Sequence, residues 1–132
     1  MTPSEVGPSE AGAVDTAALT FGAIVLVPFP FTNQANTKQR PAVVISSAPY
    51  NAAKPDIILM AITSQLRATA AFGEVWLNQW QAAGLLKPSA VKPVIATLEQ
   101  PLIIRILGTL AADDAQALRM ALNQILGGEA SD

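Results

Sequence analysis

The stretch AIVLVPFPF at residues 23–31 places a run of branched aliphatic residues directly before alternating prolines and phenylalanines. The aliphatic part, residues 24–27, has the composition of a β-strand. A proline cannot donate a ladder hydrogen bond in a central strand, so the chain must leave the sheet at Pro28. This stretch predicts that ordered structure begins near Phe21 with a strand that ends at Pro28.

Further stretches with strand composition follow it, bounded by polar residues or prolines; the third of them begins with Glu74 and the last carries Arg105 inside it. These stretches lie at residues 42–45, 57–62, 74–77, 94–98 and 102–107. Short strands with turn signals and without βαβ alternation favour a curled antiparallel sheet or barrel. The sequence therefore predicts a mainly β protein, a small barrel of about six strands.

One long helix is predicted after these strands. Leu118, Leu122 and Ile125 recur at helical spacing, and Asp113-Asp114 lie where acids complement the positive end of a helix. Gly127-Gly128 predict its end. A helical turn is also predicted at residues 79–83, with Asn78 as its N-cap and Gly84 just past its end.

The chain has 132 residues, enough for one compact domain. Residues 1–20 combine small polar residues, Pro and Gly without a periodic apolar face, which predicts a disordered N-terminal tail. The domain is predicted at residues 21–128, followed by a flexible C-terminus at 129–132.

Composition excludes several chemistries. The chain has no Cys and no His, which removes disulfides, thiolate nucleophiles, the commonest metal ligands and imidazole acid/base catalysis. It also lacks a glycine-rich phosphate loop and paired carboxylates with metal-ligand spacing. We therefore expect no cofactor and no metal site. The net charge of −2 gives no diffuse attraction to nucleic acid, so RNA binding would need a few placed cations.

No export signal or membrane segment is expected. Residues 1–20 lack a basic segment followed by a long apolar one, and the later apolar runs are far shorter than the roughly 20 residues that cross a bilayer. The expectation is a cytoplasmic protein with no membrane partner.

Two polar motifs next to predicted strands are candidate functional sites. Lys38-Gln39-Arg40-Pro41 opens the strand at 42–45, which holds a cation in place while it still faces solvent; alternatively Arg40 caps a carbonyl or pairs with an acid. Thr63-Ser64-Gln65 follows the strand at 57–62, where hydroxyls can point into a cleft. The alternative is a turn held by local side-chain hydrogen bonds.

Aromatic side chains form a third candidate feature. They are able to stack on nucleic-acid bases, although packing in the core is the commoner fate. The set comprises Phe29, Phe31, Trp76 and Trp80.

These motifs resemble those of MazF/PemK-type toxins. The opening of that family is similar to residues 22–32 followed by KQRPAVVIS at 38–46, and the resemblance continues through AITSQ at 61–65. AGLLKPS at 83–89, TLE at 97–99 and LGTL at 107–110 resemble its C-terminal half. The resemblance spans about residues 21–126, and its specificity lies in the ordered combination.

The resemblance implies an SH3-like, CcdB-type barrel with a C-terminal helix, usually a homodimer. It implies the toxin of a type II toxin–antitoxin system, a metal-independent and sequence-specific endoribonuclease that cleaves single-stranded mRNA through a 2′,3′-cyclic phosphate and inhibits translation and growth. The implied partners are the RNA substrate, a cognate antitoxin and, only together with that antitoxin, operator DNA.

The resemblance also implies the site residues. The catalytic pair falls on Arg40 and Thr63. Ser64 lies beside the catalytic threonine, and a basic RNA-contacting position of some members falls near Lys92. From the motifs and the aromatic set we predict substrate binding by these two residues and also by Phe31, Lys38 and Gln65. One departure is Ala23, where many members carry an acid directly after the opening glycine.

A second hypothesis stays open beside the ribonuclease. A dimer of the same fold without catalysis could bind an antitoxin–operator complex or a gyrase-type target, and a plain barrel could serve peptide binding alone. The presence of both Arg40 and Thr63 favours the ribonuclease.

Overall fold

The computed structural model describes residues 14–28 and 38–128, and in this part of the chain six antiparallel strands form one curled sheet, a half-barrel. The strands are β1 (Ala23–Pro28), β2 (Gln39–Val44), β3 (Asp56–Thr63), β4 (Val75–Trp76), β5 (Ala90–Glu99) and β6 (Arg105–Thr109). Their order across the sheet is β4-β5-β3-β2-β1-β6. The helices are α1 (Ala48–Ala53) and α2 (Ala112–Ile125). The prediction of a mainly β protein with one long C-terminal helix is confirmed.

The three central strands are buried on both faces, which explains their nearly continuous aliphatic composition. One face, with Ile24, Val43 and Met60, packs against helix α2 through Leu118. The other face carries a second cluster of buried side chains, called the inner core below. Its core includes Val25, Val27, Ala42, Val44, Leu59, Ala61 and Ile103.

Helix α2 turns Leu118 and Ala121 toward the sheet and ends at Ile125. The capping residue is Leu126 with a φ of −83°, so the helix ends without a left-handed glycine, and Gly127-Gly128 lie just beyond it. The guanidinium of Arg119 lies 4.0 Å from the centre of the Phe21 ring, a cation–π contact that ties α2 to the start of the domain.

The short helix α1 was not predicted. Ser47 is its N-cap, with the hydroxyl accepting from the Tyr50 amide at 3.2 Å. The buried Asn51 side chain in this helix donates to the Leu19 carbonyl at 2.8 Å. Leu19 itself is 1% exposed and packs in the inner core.

The predicted tail boundary at residue 20 is therefore wrong. Val14 packs against the inner core and Thr16–Ala18 form a 3-10 helix capped by Asp15, so this segment is part of the fold. This segment has no periodic apolar pattern, because only single apolar residues make these contacts. Residues 1–13 and the predicted flexible C-terminus at 129–132 lie outside the described residues.

Three strand boundaries also differ from the prediction. The last strand begins at Arg105, because Pro101 lies in a 3-10 helix at Gln100–Leu102 that precedes it. Strands β2 and β5 begin earlier than the aliphatic runs, at Gln39 and Ala90. Both early starts bring polar or charged residues into the sheet.

The predicted helical turn at 79–83 is a series of turns over residues 78–84. Asn78 is not its cap. The buried carboxylate of Asp114 in α2 accepts from the main-chain amides of Asn78 and Gln79 at 3.0 and 2.9 Å. Gly84 ends the turns with a φ of +91°, as its predicted position requires.

Within residues 14–28 and 38–128, no helix is both long and apolar enough to cross a membrane.

Candidate functional site

The register of β2 and β3 brings the two polar motifs together. Ala42 pairs with Ala61 in this antiparallel ladder. Arg40 and Thr63 each lie two residues from this pair, and residues two apart along a strand point to the same face. Arg40 is half-buried and also pairs with Val27 of β1.

These two residues line one cleft of about 610 Å³. Three other predicted site residues, Ser64, Gln65 and Lys92, line the same cleft. Lys38 is exposed one residue before β2 and is outside this lining set. Phe31 lies outside the described residues.

Thr63 makes the local turn contact that the alternative interpretation expected. Its hydroxyl oxygen accepts from the Gln65 amide at 3.0 Å. A hydroxyl that accepts one hydrogen bond keeps its own O–H for donation. The contact therefore orients the Thr63 side chain at the cleft and leaves it able to donate to an anion.

A bulge in β5 places Lys92 at the cleft. Ile62 pairs with Val91 and Met60 with Ile95, so residues 92–94 oppose Ala61 alone. Bulges bend a strand and redirect side chains next to functional sites. Pro93 lies within the bulge, where the lack of an N–H breaks no regular ladder.

Ser89 and Gln39 line the cleft but were not predicted as site residues. Gln39 adjoins Arg40 in the KQRP motif, which is the signal that identifies it. Ser89 is 5% exposed, and its hydroxyl donates to the Lys87 carbonyl at 2.8 Å. A serine in a loop gives no sequence signal for such a position, because strand pairing brings it to the cleft.

A second cleft of about 320 Å³ adjoins the first and shares Pro41, Ser64 and Ser89 with it. It is otherwise lined by aliphatic residues and two cations. The lining residues are Leu26, Gly84, Leu85, Leu86, Lys87, Arg105 and Leu107.

Half of the Lys and Arg residues of the chain lie at these clefts. Four of its eight Lys and Arg residues line them, namely Arg40 and Lys92 in the first and Lys87 and Arg105 in the second. Within the described part of the chain, neither lining set includes an Asp or Glu. A chain of net charge −2 therefore carries a locally cationic surface, which concentrates anions at the clefts.

Ala23 lies away from the first cleft. It begins β1, is 1% exposed and packs in the inner core, whereas Arg40 pairs with Val27 four residues further along the strand. At about 3.3 Å per residue these positions are separated by roughly 13 Å. The departure from the family pattern at residue 23 thus leaves the described cleft lining unchanged.

The two tryptophans differ in exposure. Trp80 packs against the core on the helix α2 face of the sheet, while Trp76 in β4 is partly exposed. Phe29 lies with Phe31 outside the described residues.

Among residues 14–28 and 38–128, no group of three or more Asp or Glu residues is placed to hold a metal ion.

The described residues thus form a curled antiparallel sheet with one long C-terminal helix and a cleft lined by cations without acids. The family model for PemK-like, MazF-like toxins of type II toxin–antitoxin systems matches residues 20–126. The chain belongs to this family.

Solved structures of similar fold agree with this assignment. An endoribonuclease in complex with its cognate antitoxin from Mycobacterial species has a TM-score of 0.69 at 16% identity, covering 85% of this chain and 98% of that one. The Mycobacterium tuberculosis toxin MazF-mt6 has a TM-score of 0.64 at 21% identity, covering 77% and 93%. A MazE-MazF structure from Deinococcus radiodurans has a TM-score of 0.64 at 24% identity, covering 86% and 99%. At these identities the likeness establishes the fold. No curated relative matches the chain significantly by sequence.

Proposed function

We propose that this chain is the toxin of a type II toxin–antitoxin system, a metal-independent and sequence-specific endoribonuclease that cleaves single-stranded mRNA and thereby inhibits translation and growth. The observation that carries the proposal is that Arg40 and Thr63 line one cationic cleft. Family membership and the endoribonuclease relatives support it.

The proposed reaction is attack of a ribose 2′-hydroxyl on the adjacent phosphorus. A new 2′-oxygen to phosphorus bond forms, the bond to the 5′-oxygen breaks, and the products are a 2′,3′-cyclic phosphate and a 5′-hydroxyl. The 2′-hydroxyl loses its proton and the leaving 5′-oxygen gains one. Negative charge on the phosphorane is the main obstacle, and preorganised donors are the means of stabilising it.

Arg40 is the main donor in this proposal. Its guanidinium forms two parallel hydrogen bonds to the non-bridging phosphate oxygens in a fixed geometry. The O–H of Thr63 donates a third. Because Thr63 is oriented by the Gln65 amide, it donates without a rearrangement during the reaction.

The remaining contacts position the RNA. Lys92 neutralises a neighbouring phosphate, and Ser64 and Gln65 offer hydroxyl and amide groups to bases or riboses. We assign further substrate contacts to Lys38 and Phe31, which belong to the segment that leads into Arg40.

Incubation of the purified protein with a long single-stranded RNA in the presence of EDTA tests the activity. Recurrent cuts that carry 2′,3′-cyclic phosphate ends support the endoribonuclease. An intact RNA at every protein concentration contradicts it and favours a non-catalytic module that binds an antitoxin–operator complex or a gyrase-type target.

Arg40→Ala tests the site. Loss of one preorganised donor costs on the order of 2.7–4 kcal/mol of transition-state stabilisation, so cleavage falls about a hundredfold or more. Lys54→Ala is the matched control, since Lys54 is exposed and lines neither cleft. If Arg40→Ala protein has the unfolding transition of the wild type and still cuts RNA at the wild-type rate, Arg40 has no part in the mechanism.

The proposed partner is a cognate antitoxin, as in the antitoxin complexes of similar fold, and the proposed form is a cytoplasmic homodimer. An antitoxin segment with acidic and apolar side chains would occupy the RNA path, so its affinity has a salt-sensitive part. Titration of this antitoxin segment into wild-type and Arg40→Ala protein, each at low and high salt, measures the salt-sensitive part of the affinity. Equal affinities in all four titrations would place the antitoxin away from the cleft.

A further inference from the structure

Residues 14–19 are an addition to the domain that the family match defines. The match begins at residue 20, yet Val14 and Leu19 pack in the inner core. Leu19 is 1% exposed, and its carbonyl accepts from the buried Asn51 side chain at 2.8 Å. This docking gives residues 14–19 a fixed position on the domain, so the point at which residues 1–13 attach is fixed as well.

The docked segment and the first cleft lie on the same face of the sheet. Ala42 belongs to the inner core, and Arg40 lies two residues from it along β2. Residues two apart along a strand point to the same face. Because Val14 and Leu19 pack in this same core, residues 1–13 begin on the face that carries the cleft.

The distance from the docked segment to the cleft is short compared with the length of residues 1–13. The Gly22 amide donates to the Val44 carbonyl at 2.8 Å, which places the start of the domain beside the end of β2. Arg40 lies four residues back along β2, about 13 Å at 3.3 Å per residue. An extended segment of this length spans up to about 43 Å, so residues 1–13 are long enough to reach the cleft.

The charges of the two parts are complementary. Every charged side chain before residue 20 is acidic, namely Glu5, Glu10 and Asp15. Among the residues that the structure describes, the first cleft is lined by Arg40 and Lys92 and by no acid. A cationic cleft attracts carboxylates as well as phosphates, and a short tether holds the carboxylates at an effective concentration in the millimolar range.

We propose that residues 1–13 occupy the first cleft of the same chain, with Glu5 and Glu10 contacting Arg40 and Lys92, and compete there with RNA. This inference rests on the proposed function. The occupant is the chain's own segment because its attachment keeps the two acids near the cleft at any protein concentration. RNA binds only after this segment has left, so its apparent affinity is lowered by the fraction of molecules in which the cleft is open.

The first test compares the double variant Glu5→Gln, Glu10→Gln with the control Glu99→Gln, Asp113→Asn. The control changes the net charge equally, at exposed residues that line neither cleft. Affinity is measured for RNA carrying 2′-O-methyl groups throughout, which cannot undergo 2′-hydroxyl attack. Thermal unfolding of each variant confirms its fold.

At about 0.05 M salt, the Glu5, Glu10 variant should bind RNA about fivefold more tightly than wild type, as expected if the segment fills about four fifths of the clefts. The control should stay within about twofold, and at about 0.5 M salt the difference should disappear because the ionic contacts are screened. In cleavage of a natural RNA, KM should fall with kcat unchanged, since the segment competes only with substrate binding.

The second test uses the absence of Cys from the chain to locate the segment directly. Glu10→Cys is combined either with Gln39→Cys, at an exposed residue that lines the cleft, or with Glu99→Cys, at the exposed far end of β5. Under mild oxidation of dilute protein, the first pair should form its intramolecular disulfide about fivefold faster or more, because docking raises the effective concentration of the two thiols.

Equal RNA affinities of the folded Glu5, Glu10 variant and the control at low salt would overturn the inference. So would equal disulfide rates of the two pairs, or a disulfide that joins two chains in preference to one, which would assign the segment to a second copy. If wild type cuts no RNA, the proposed function fails by itself, and the 2′-O-methyl RNA affinities and the disulfide rates still decide where residues 1–13 bind.

Discussion

Replacement of Asp114 by Ala should destabilise the domain far more than replacement of its neighbour Asp113. Both acids lie in the first turn of α2, so the helix macrodipole stabilises both, by about 0.3–1 kcal/mol each. Asp114 is 1% exposed and accepts two main-chain hydrogen bonds, from Asn78 and Gln79. A hydrogen bond to an ionised group contributes about 1.5–3 kcal/mol, so Asp114→Ala should cost about 3 kcal/mol or more.

Asp113 is exposed, and one of its carboxylate oxygens accepts from the Gln79 side chain and from the Asp114 amide at 2.8 and 2.9 Å. Water can replace these contacts, so Asp113→Ala should cost about 1 kcal/mol or less. Urea unfolding of both variants measures the difference through the midpoint, provided that the slope is unchanged. Equal losses would mean that the macrodipole, and not the clamp on residues 78–79, accounts for Asp114.

Two further sets of substitutions test how the domain packs. Gly84→Ala and Gly108→Ala should each prevent stable folding, because each Cβ would overlap a carbonyl of the facing segment, whereas Gly127→Ala meets nothing within 4 Å and should be neutral in thermal unfolding. Leu19→Ala should lower the free energy of unfolding by about 2–5 kcal/mol, as expected for a buried leucine. Leu86 is 93% exposed, so Leu86→Ala should change the free energy of unfolding by no more than about 0.5 kcal/mol. Comparable losses for the two variants in urea unfolding would contradict the docking of residues 14–20.

Most of the candidate site was predictable because its residues lie where strands meet polar loops. Arg40 and Thr63 each adjoin an aliphatic run, and such positions stay accessible while the strand holds their backbone. Lys92 was predicted from resemblance alone, because the bulge that directs it depends on how β3 and β5 pair. Ser89 was missed for the same reason.

The sequence by itself determined the class of the fold and the kinds of chemistry open to it. Aliphatic runs of strand length, ended by Pro28 or by polar groups such as Thr63, specify a sheet whatever the pairing. The absence of Cys and His restricts catalysis to cations, hydroxyls, amides and carboxylates. These properties are local, so they can be read along the chain.

Only the tertiary structure decided which of these groups meet. The pairing of Ala42 with Ala61 keeps Arg40 and Thr63 on one face of the sheet, and a slip of one residue would turn every side chain of one strand to the other face. The gathering of four cations into adjoining clefts cannot be read from a net charge of −2. Sequence and structure both place Asp114 in the first turn of a helix. Its burial and its hydrogen-bond partners, however, are set by a segment 35 residues away, because hydrogen bonding and desolvation depend on spatial neighbours.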